Sequence, residues 1–109
     1  MDLKNNYQKE LKKIVEALKA YKPEKIVLFG SVATGKFRPD SDFDFLIIKK
    51  GVDELRKGER YSQVSKLLGS HKLPMDLLVY TPYEIKKRLY LGDPFIKKIL
   101  SEGQVLYGS

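Results

Sequence analysis

Among the residues of this chain, three aspartates have the side chains and the spacing that best suit catalysis. Asp42 and Asp44 are separated by a single residue. Alternate residues of a β-strand point to one face, so a strand here would hold the two carboxylates side by side, about 7 Å apart along the backbone. Neighbouring carboxylates repel each other when both are ionised, and they then favour proton uptake or a bound cation. A divalent ion that prefers oxygen ligands would satisfy the pair.

Asp76 supplies a third carboxylate from a distant part of the chain. It interrupts an otherwise apolar segment, Met75 to Val79, whose composition predicts a strand. A lone aspartate is costly to bury in such a strand without a partner or a metal. If this strand lies beside the strand of Asp42 and Asp44, the three carboxylates converge.

Three carboxylates around divalent metal suit phosphoryl or nucleotidyl transfer. Two Mg²⁺ ions about 4 Å apart can hold the attacking and leaving oxygens in line. We expect Asp42 and Asp44 to bridge the ions. Asp76 would bind the catalytic ion and orient or deprotonate an acceptor hydroxyl. All three are therefore predicted as catalytic and metal-binding residues.

Gly30 and Ser31 precede the aspartate pair and are predicted to bind the triphosphate of a nucleotide. They end a β-rich run, and a helical turn after them would offer free N–H groups to an anion. Glycine lets the backbone approach a phosphate closely, and the serine hydroxyl can donate to it. Taken alone, a Gly-Ser pair after a strand is more often a plain turn.

A P-loop is a competing interpretation of the same region. The segment from Gly30 to Lys36 fits its beginning, but Phe37 stands where a Ser or Thr must bind Mg²⁺. The residues from Arg38 to Ser41 also favour a loop rather than the required helix. We reject the P-loop. Lys36 and Arg38 stay open as phosphate contacts or as exposed loop charges.

Hydrophobic spacing predicts the elements that must position these residues. Helical periodicity runs along the N-terminal segment up to Pro23, and Thr81 to Glu84 has the pattern of a capping box. Strands are predicted at 25–29, 43–48, 73–80 and 104–107. Helices are predicted from about Glu59 to Gly69, from Thr81 to about Leu91 and from Asp93 to Gly103. This alternation predicts an α/β fold, with helices packed on a sheet.

Length and composition favour one cytoplasmic domain covering residues 1–109. The chain has 109 residues and no cysteine, which excludes disulfides, thiolate metal sites and a cysteine nucleophile. No apolar run approaches the roughly 20 residues of a membrane span, and the N-terminus lacks the apolar core of a signal peptide. The net charge of +7 is spread along the chain, so a solvated basic surface is favoured over a nucleic-acid site.

The signature residues resemble the minimal nucleotidyltransferases of the DNA polymerase beta superfamily. That family carries Gly-Ser, ten residues, Asp-x-Asp and a third acid on a later strand. Gly30, Ser31, Asp42, Asp44 and Asp76 match this pattern position by position. The resemblance extends over nearly the whole chain.

The resemblance implies a small mixed β-sheet flanked by helices, with ATP or another NTP bound through two Mg²⁺ ions. It also implies an antitoxin role, in which AMP is added to a tyrosine of a partner HEPN-domain toxin. Relatives commonly carry an arginine in the loop after Gly-Ser, where this chain has Ala33 and Thr34. The group that contacts the triphosphate there stays open.

Two other functions stay open from the sequence. The chain lacks the extra domains with which larger relatives hold their acceptors, so a binding-only antitoxin with secondary or lost catalysis is one alternative. A basic nucleic-acid-binding domain is the weaker one, and its affinity should fall steeply with salt. Self-association into a homo-oligomer is also compatible with the sequence.

Overall fold

The computed structural model describes residues 3–30, 32–33, 43–69 and 75–108, and side chains from residue 8 onward. Within these ranges helices and strands alternate in the order α1 (Leu3–Lys19), β1 (Lys25–Phe29), β2 (Phe43–Ile48), α2 (Lys57–Leu68), β3 (Met75–Tyr80), α3 (Pro82–Tyr90), α4 (Pro94–Glu102) and β4 (Gln104–Tyr107). None of the helices in this part of the chain combines the length and apolar character needed to cross a membrane.

The four strands form one mixed sheet in the order β3-β2-β1-β4. β1 pairs antiparallel with β2 and with β4, whereas β2 and β3 are parallel. A parallel pair needs a crossover connection, and α2 lies between β2 and β3 in the chain. The predicted α/β class and the mixed sheet flanked by helices are confirmed.

One face of the sheet, here called the α1/α2 face, packs on the first two helices. Phe43 and Phe45 point to this face, and their stacked rings lie 6.0 Å apart between centroids. Ile14 and Leu18 of α1 and Val64 of α2 complete the buried cluster. The alternation along β2 therefore directs its phenylalanines into the core and Asp44 to the other face.

The opposite face, here called the α3/α4 face, packs on the last two helices. Leu46 and Ile48 of β2 are buried there against Ile85 of α3 and against Ile96 and Ile99 of α4. Helices on both faces make a three-layer domain, so β2, which lies inside the sheet, is covered on both sides along most of its length. Of the β2 residues, only Asp44 is left partly accessible.

Most predicted element boundaries agree with the structure, and α2 is the main difference. Its first residue is Lys57, two residues before the predicted start, so Gly58 lies inside the first turn. Leu55 lies in the turn before the helix. The cost of a glycine is about 1 kcal/mol, which tertiary contacts of the same turn offset.

Buried Arg60 supplies those contacts. Its Nε donates to the carbonyl oxygens of Val52 at 3.0 Å and Leu55 at 3.1 Å. Its Nη1 donates to the carbonyl of Val79 at 3.0 Å and to Glu84 Oε1 at 2.6 Å. One side chain thus ties the loop before α2, the end of β3 and the start of α3 together.

Candidate active site

The chain direction in the sheet brings three segments to one end. Because β2 is antiparallel to β1 and parallel to β3, the end of β1 lies beside the starts of β2 and β3. The register pairs Phe29 with Asp44, and Asp44 with Asp76. Gly30, which follows Phe29 directly, lies at the same end.

Asp44 and Asp76 are neighbours across the parallel strands β2 and β3. Residues at matching positions of adjacent strands are separated by about 4.8 Å and point to the same face. For this pair it is the α3/α4 face, because Leu46, two residues beyond Asp44, packs there. The predicted convergence of these two aspartates is what the structure shows.

Asp76 is exposed, contrary to expectation. We expected an aspartate in an apolar strand to be buried and therefore costly. β3 is an edge strand of the sheet, and its first residues project beyond the helices that cover its second half, Val79 and Tyr80. Asp76 therefore stays accessible to solvent without a desolvation cost, and Asp44 is intermediate in exposure.

Gly30 lies directly against the Asp44 carboxylate. Its φ of +81° falls in the region that residues with a side chain rarely adopt. A Cβ placed on Gly30 would collide with Asp44 Oδ2 and would lie 3.2 Å from Asp44 Cγ. The missing side chain therefore leaves room for the carboxylate, a spatial role different from the phosphate approach that the sequence predicts.

Ser31 and Asp42 lie outside the described residues, so their predicted roles stay predictions. Within the ranges that are described, no group of three or more potential metal ligands occurs, and Asp44 and Asp76 form a pair. Two carboxylates in register at an accessible end of a sheet provide the hard oxygen donors that Mg²⁺ prefers. The residues present therefore fit a divalent ion.

An aromatic pair borders the carboxylates on the side of β1. Phe29 packs against the α3/α4 cluster, and its ring meets that of Phe95 at 5.9 Å between centroids and an interplanar angle of 85°. Neither residue was predicted from the sequence as part of the site. Contact between a strand end and the first turn of α4 depends on tertiary packing, which no local pattern in the sequence records.

Comparisons with known proteins agree with this fold. Residues 9–106 match the family model of the nucleotidyltransferase domain. Two proteins of Methanocaldococcus jannaschii, MJ0141 and MJ0604, carry names that propose them as protein adenylyltransferases, and each is 31% identical to this chain. The matches cover 74% of this chain and 78% of MJ0141, and 94% of this chain and 99% of MJ0604.

Two solved structures share the fold. A crystal structure from Sulfolobus solfataricus, of a protein named as a proposed nucleotidyltransferase, has a TM-score of 0.64 at 25% identity over 92% of this chain and 78% of that one. A toxin–antitoxin structure with AMP-PNP has a TM-score of 0.60 at 21% identity over 90% of this chain and 73% of that one. The architecture is therefore that of the polymerase beta-type nucleotidyltransferases. The chain belongs to the nucleotidyltransferase domain family.

Proposed function

We propose that this chain is a Mg²⁺-dependent nucleotidyltransferase that moves AMP from ATP to an acceptor hydroxyl, in the cytoplasm, with one domain over residues 1–109. The observation that carries the proposal is the register that sets Asp44 beside Asp76, with Gly30 against the Asp44 carboxylate. The names of the two related M. jannaschii proteins support adenylyl transfer in particular.

Each residue of the site has a distinct part in this proposal. Asp42 and Asp44 would hold the Mg²⁺ ions, and Gly30 with Ser31 would bind the triphosphate. When bound, the ions supply positive charge to the phosphate oxygens and align the attacking and leaving oxygens. Asp76 binds at the same centre and, being exposed, faces the side from which an acceptor arrives.

The transfer step follows from this assignment. The acceptor oxygen forms a bond to the α-phosphorus while the bond from that phosphorus to the bridging oxygen of the pyrophosphate breaks. Asp76 orients the acceptor hydroxyl and takes its proton. The products are the AMP ester of the acceptor and pyrophosphate.

We further propose that the acceptor is a tyrosine of a partner HEPN-domain toxin. The toxin–antitoxin structure with AMP-PNP that shares this fold supports a toxin as the partner, and the HEPN domain and the tyrosine follow from the family resemblance. A separate partner would also explain how an acceptor is held. Large apolar side chains are exposed at the end of α3, namely Tyr90 at 90% and Leu91, which follows the helix, at 70% exposure. Such side chains suit contact with another protein.

The decisive experiment is the substitution Asp44→Asn, which keeps the side-chain shape and removes the charge. We expect a loss of about 100-fold or more in Mg²⁺-dependent AMP incorporation into a HEPN-domain partner protein, measured with radiolabelled ATP. Asp53→Asn is the matched control, because Asp53 is exposed in the loop before α2 at the other end of the sheet. Full activity of Asp44→Asn would overturn the proposed metal site.

The same variant separates catalysis from binding. If Asp44→Asn loses AMP transfer and also fails to neutralise the partner in cells, transfer is the basis of the antitoxin role. Neutralisation by an inactive Asp44→Asn protein would instead favour a binding-only antitoxin, for which the exposed side chains of α3 and α4 are the supporting observation.

A further inference from the structure

The side chain of Phe95 is exposed, although packing of the core does not need an aromatic ring at this position. It is the second residue of α4, and 51% of its surface is accessible, whereas Ile96 and Ile99 of the same helix are buried in the core. An exposed aromatic ring at the start of a helix contributes little to the core. Its only aromatic neighbour in the described part of the chain is Phe29, which is itself partly buried.

The position of this ring relative to the carboxylates is set by the sheet. Phe29 is the register partner of Asp44 on the adjacent strand, and both side chains point to the α3/α4 face. Phe95 lies one ring contact further from the carboxylates, at 5.9 Å from Phe29. Two steps, one strand spacing of about 4.8 Å and one ring contact, therefore separate Phe95 from the Asp44 position.

The contact with Phe29 also fixes the orientation of the ring. The two rings are nearly perpendicular, at 85°, which is a favourable arrangement for an aromatic pair. Asp93 caps the same helix end by accepting from the N–H of Phe95 at 2.9 Å, so the backbone that carries the ring is held as well. A ring fixed in this way loses little entropy when a planar ligand packs against it.

We propose that Phe95, supported by Phe29, is the surface on which the base of the bound nucleoside triphosphate stacks. This inference rests on the proposed function, because it places the base of the nucleotide whose phosphates lie at Gly30 and Asp44. Stacking on an aromatic ring tolerates any base, since each base has a π face. Phe95 thus adds affinity for nucleotides without selecting adenine.

The test compares two probes that differ in the base. ATP and inorganic tripolyphosphate are titrated by calorimetry, each with excess Mg²⁺, into the wild-type protein, Phe95→Ala, Phe95→Leu and Phe95→Tyr. We expect Phe95→Ala and Phe95→Leu to weaken ATP binding about 5- to 100-fold and to leave tripolyphosphate binding unchanged. Phe95→Tyr retains a ring and should bind ATP as the wild type does.

Tyr61→Ala is the matched control for loss of an exposed aromatic side chain. Tyr61 is 47% exposed, but it belongs to α2 on the opposite face of the sheet. Its removal should leave the binding of both probes unchanged. Phe95→Leu keeps an apolar side chain at the contact with Phe29, so it separates stacking from any effect of Phe95→Ala on folding.

The possible failures are distinguishable. Equal ATP affinity in Phe95→Leu and the wild type would overturn the stacking site and leave the proposed function intact. An equal loss for ATP and tripolyphosphate in Phe95→Leu would also overturn it, because the side chain would then act on the fold or the phosphates. If the wild type binds neither probe, the proposed function fails as well.

Discussion

Gly30 affects both the local backbone conformation and the geometry of the candidate site. Its positive φ and its contact with the Asp44 carboxylate each require the absence of a side chain. Conformational strain alone would lower stability, whereas a collision with Asp44 would move a proposed metal ligand. These two effects can be separated, because Gly51 has a similar φ of +84° and no heavy atom within 4 Å of the place where its Cβ would be.

We expect Gly30→Ala and Gly51→Ala to lose similar stability, about 1 kcal/mol each, measured by urea denaturation. Only Gly30→Ala should also lose transfer activity, by at least tenfold, because its methyl group displaces the Asp44 carboxylate. AMP transfer activity is measured on the same two variants as their urea unfolding. Equal activity in the two variants would show that the contact with Asp44 has no part in the reaction.

The sequence predicted the candidate site at the level of residue type and pairing, and less well at the level of environment. The two-residue spacing of Asp42 and Asp44 and the strand around Asp76 were enough to predict convergence, which the structure shows for Asp44 and Asp76. The expected burial of Asp76 was wrong, because composition does not distinguish an edge strand from a central one. Phe95 was not predicted as a site residue, because its aromatic neighbour Phe29 is 66 residues away in the sequence.

At the scale of elements, the Arg60–Glu84 pair joins α2 to α3. Glu84 accepts from Arg60 Nη1 and from the backbone N–H of Thr81 at 2.8 Å, so it caps α3 and balances a buried guanidinium at once. Partial burial by itself raises the pKa of Glu84, but the hydrogen bonds from Arg60 and Thr81 outweigh it and hold the pKa below its ordinary value of 4.5.

This shift predicts the pH dependence of stability. A carboxyl whose pKa is lower in the folded state stabilises the fold above its unfolded pKa, and that contribution is lost as pH falls through the folded pKa. Glu84→Gln should therefore be less stable than the wild type at pH 7, by about 1–3 kcal/mol. The difference should shrink as pH falls below 4.5.

Urea denaturation between pH 7 and pH 3 measures this dependence, with Glu102→Gln as the control for an exposed glutamate at the end of α4. We expect the stability difference between Glu102→Gln and the wild type to stay small at every pH. A Glu84→Gln deficit that is constant across this range would contradict the role of the Glu84 charge.

The predicted elements mostly agree with the structure because their signals are local. The capping box at Thr81 and the caps at Asp93 and Gly69 are confirmed, and the bounds of β1 and β2 agree with the structure. The start of α2 was predicted two residues too late, because the first turn is stabilised by hydrogen bonds from Arg60 to residues before and after the helix. The sequence alone does not show whether an arginine is buried or exposed.

At the scale of the molecule, β2 connects the core to the site. Asp44 lies between Phe43 and Phe45, which are fully buried on the α1/α2 face, so the strand that carries the carboxylate is anchored by its two neighbours. The alternation of β2 side chains between the two faces of the sheet was predicted from the sequence. The order of the strands was not predicted, because strand order depends on contacts between distant segments.

We expect Phe45→Ala to lower the free energy of unfolding by about 3–5 kcal/mol, since it leaves a cavity between the sheet and the helices α1 and α2. Differential scanning calorimetry should show one cooperative transition at a lower Tm. Tyr61→Ala, which removes an exposed ring from α2, should change the Tm little. A loss below about 1 kcal/mol for Phe45→Ala would contradict the packing described for this layer.

The pairing of Asp44 with Asp76 has a consequence for how the protein can vary. Side chains alternate between faces, so sliding β3 by one residue along β2 would turn Asp76 to the α1/α2 face. Point substitutions elsewhere in β3 leave that alignment intact, whereas inserting or deleting one residue within the strand does not. Evolution of this protein is thus freer to exchange amino acids in β3 than to change its length.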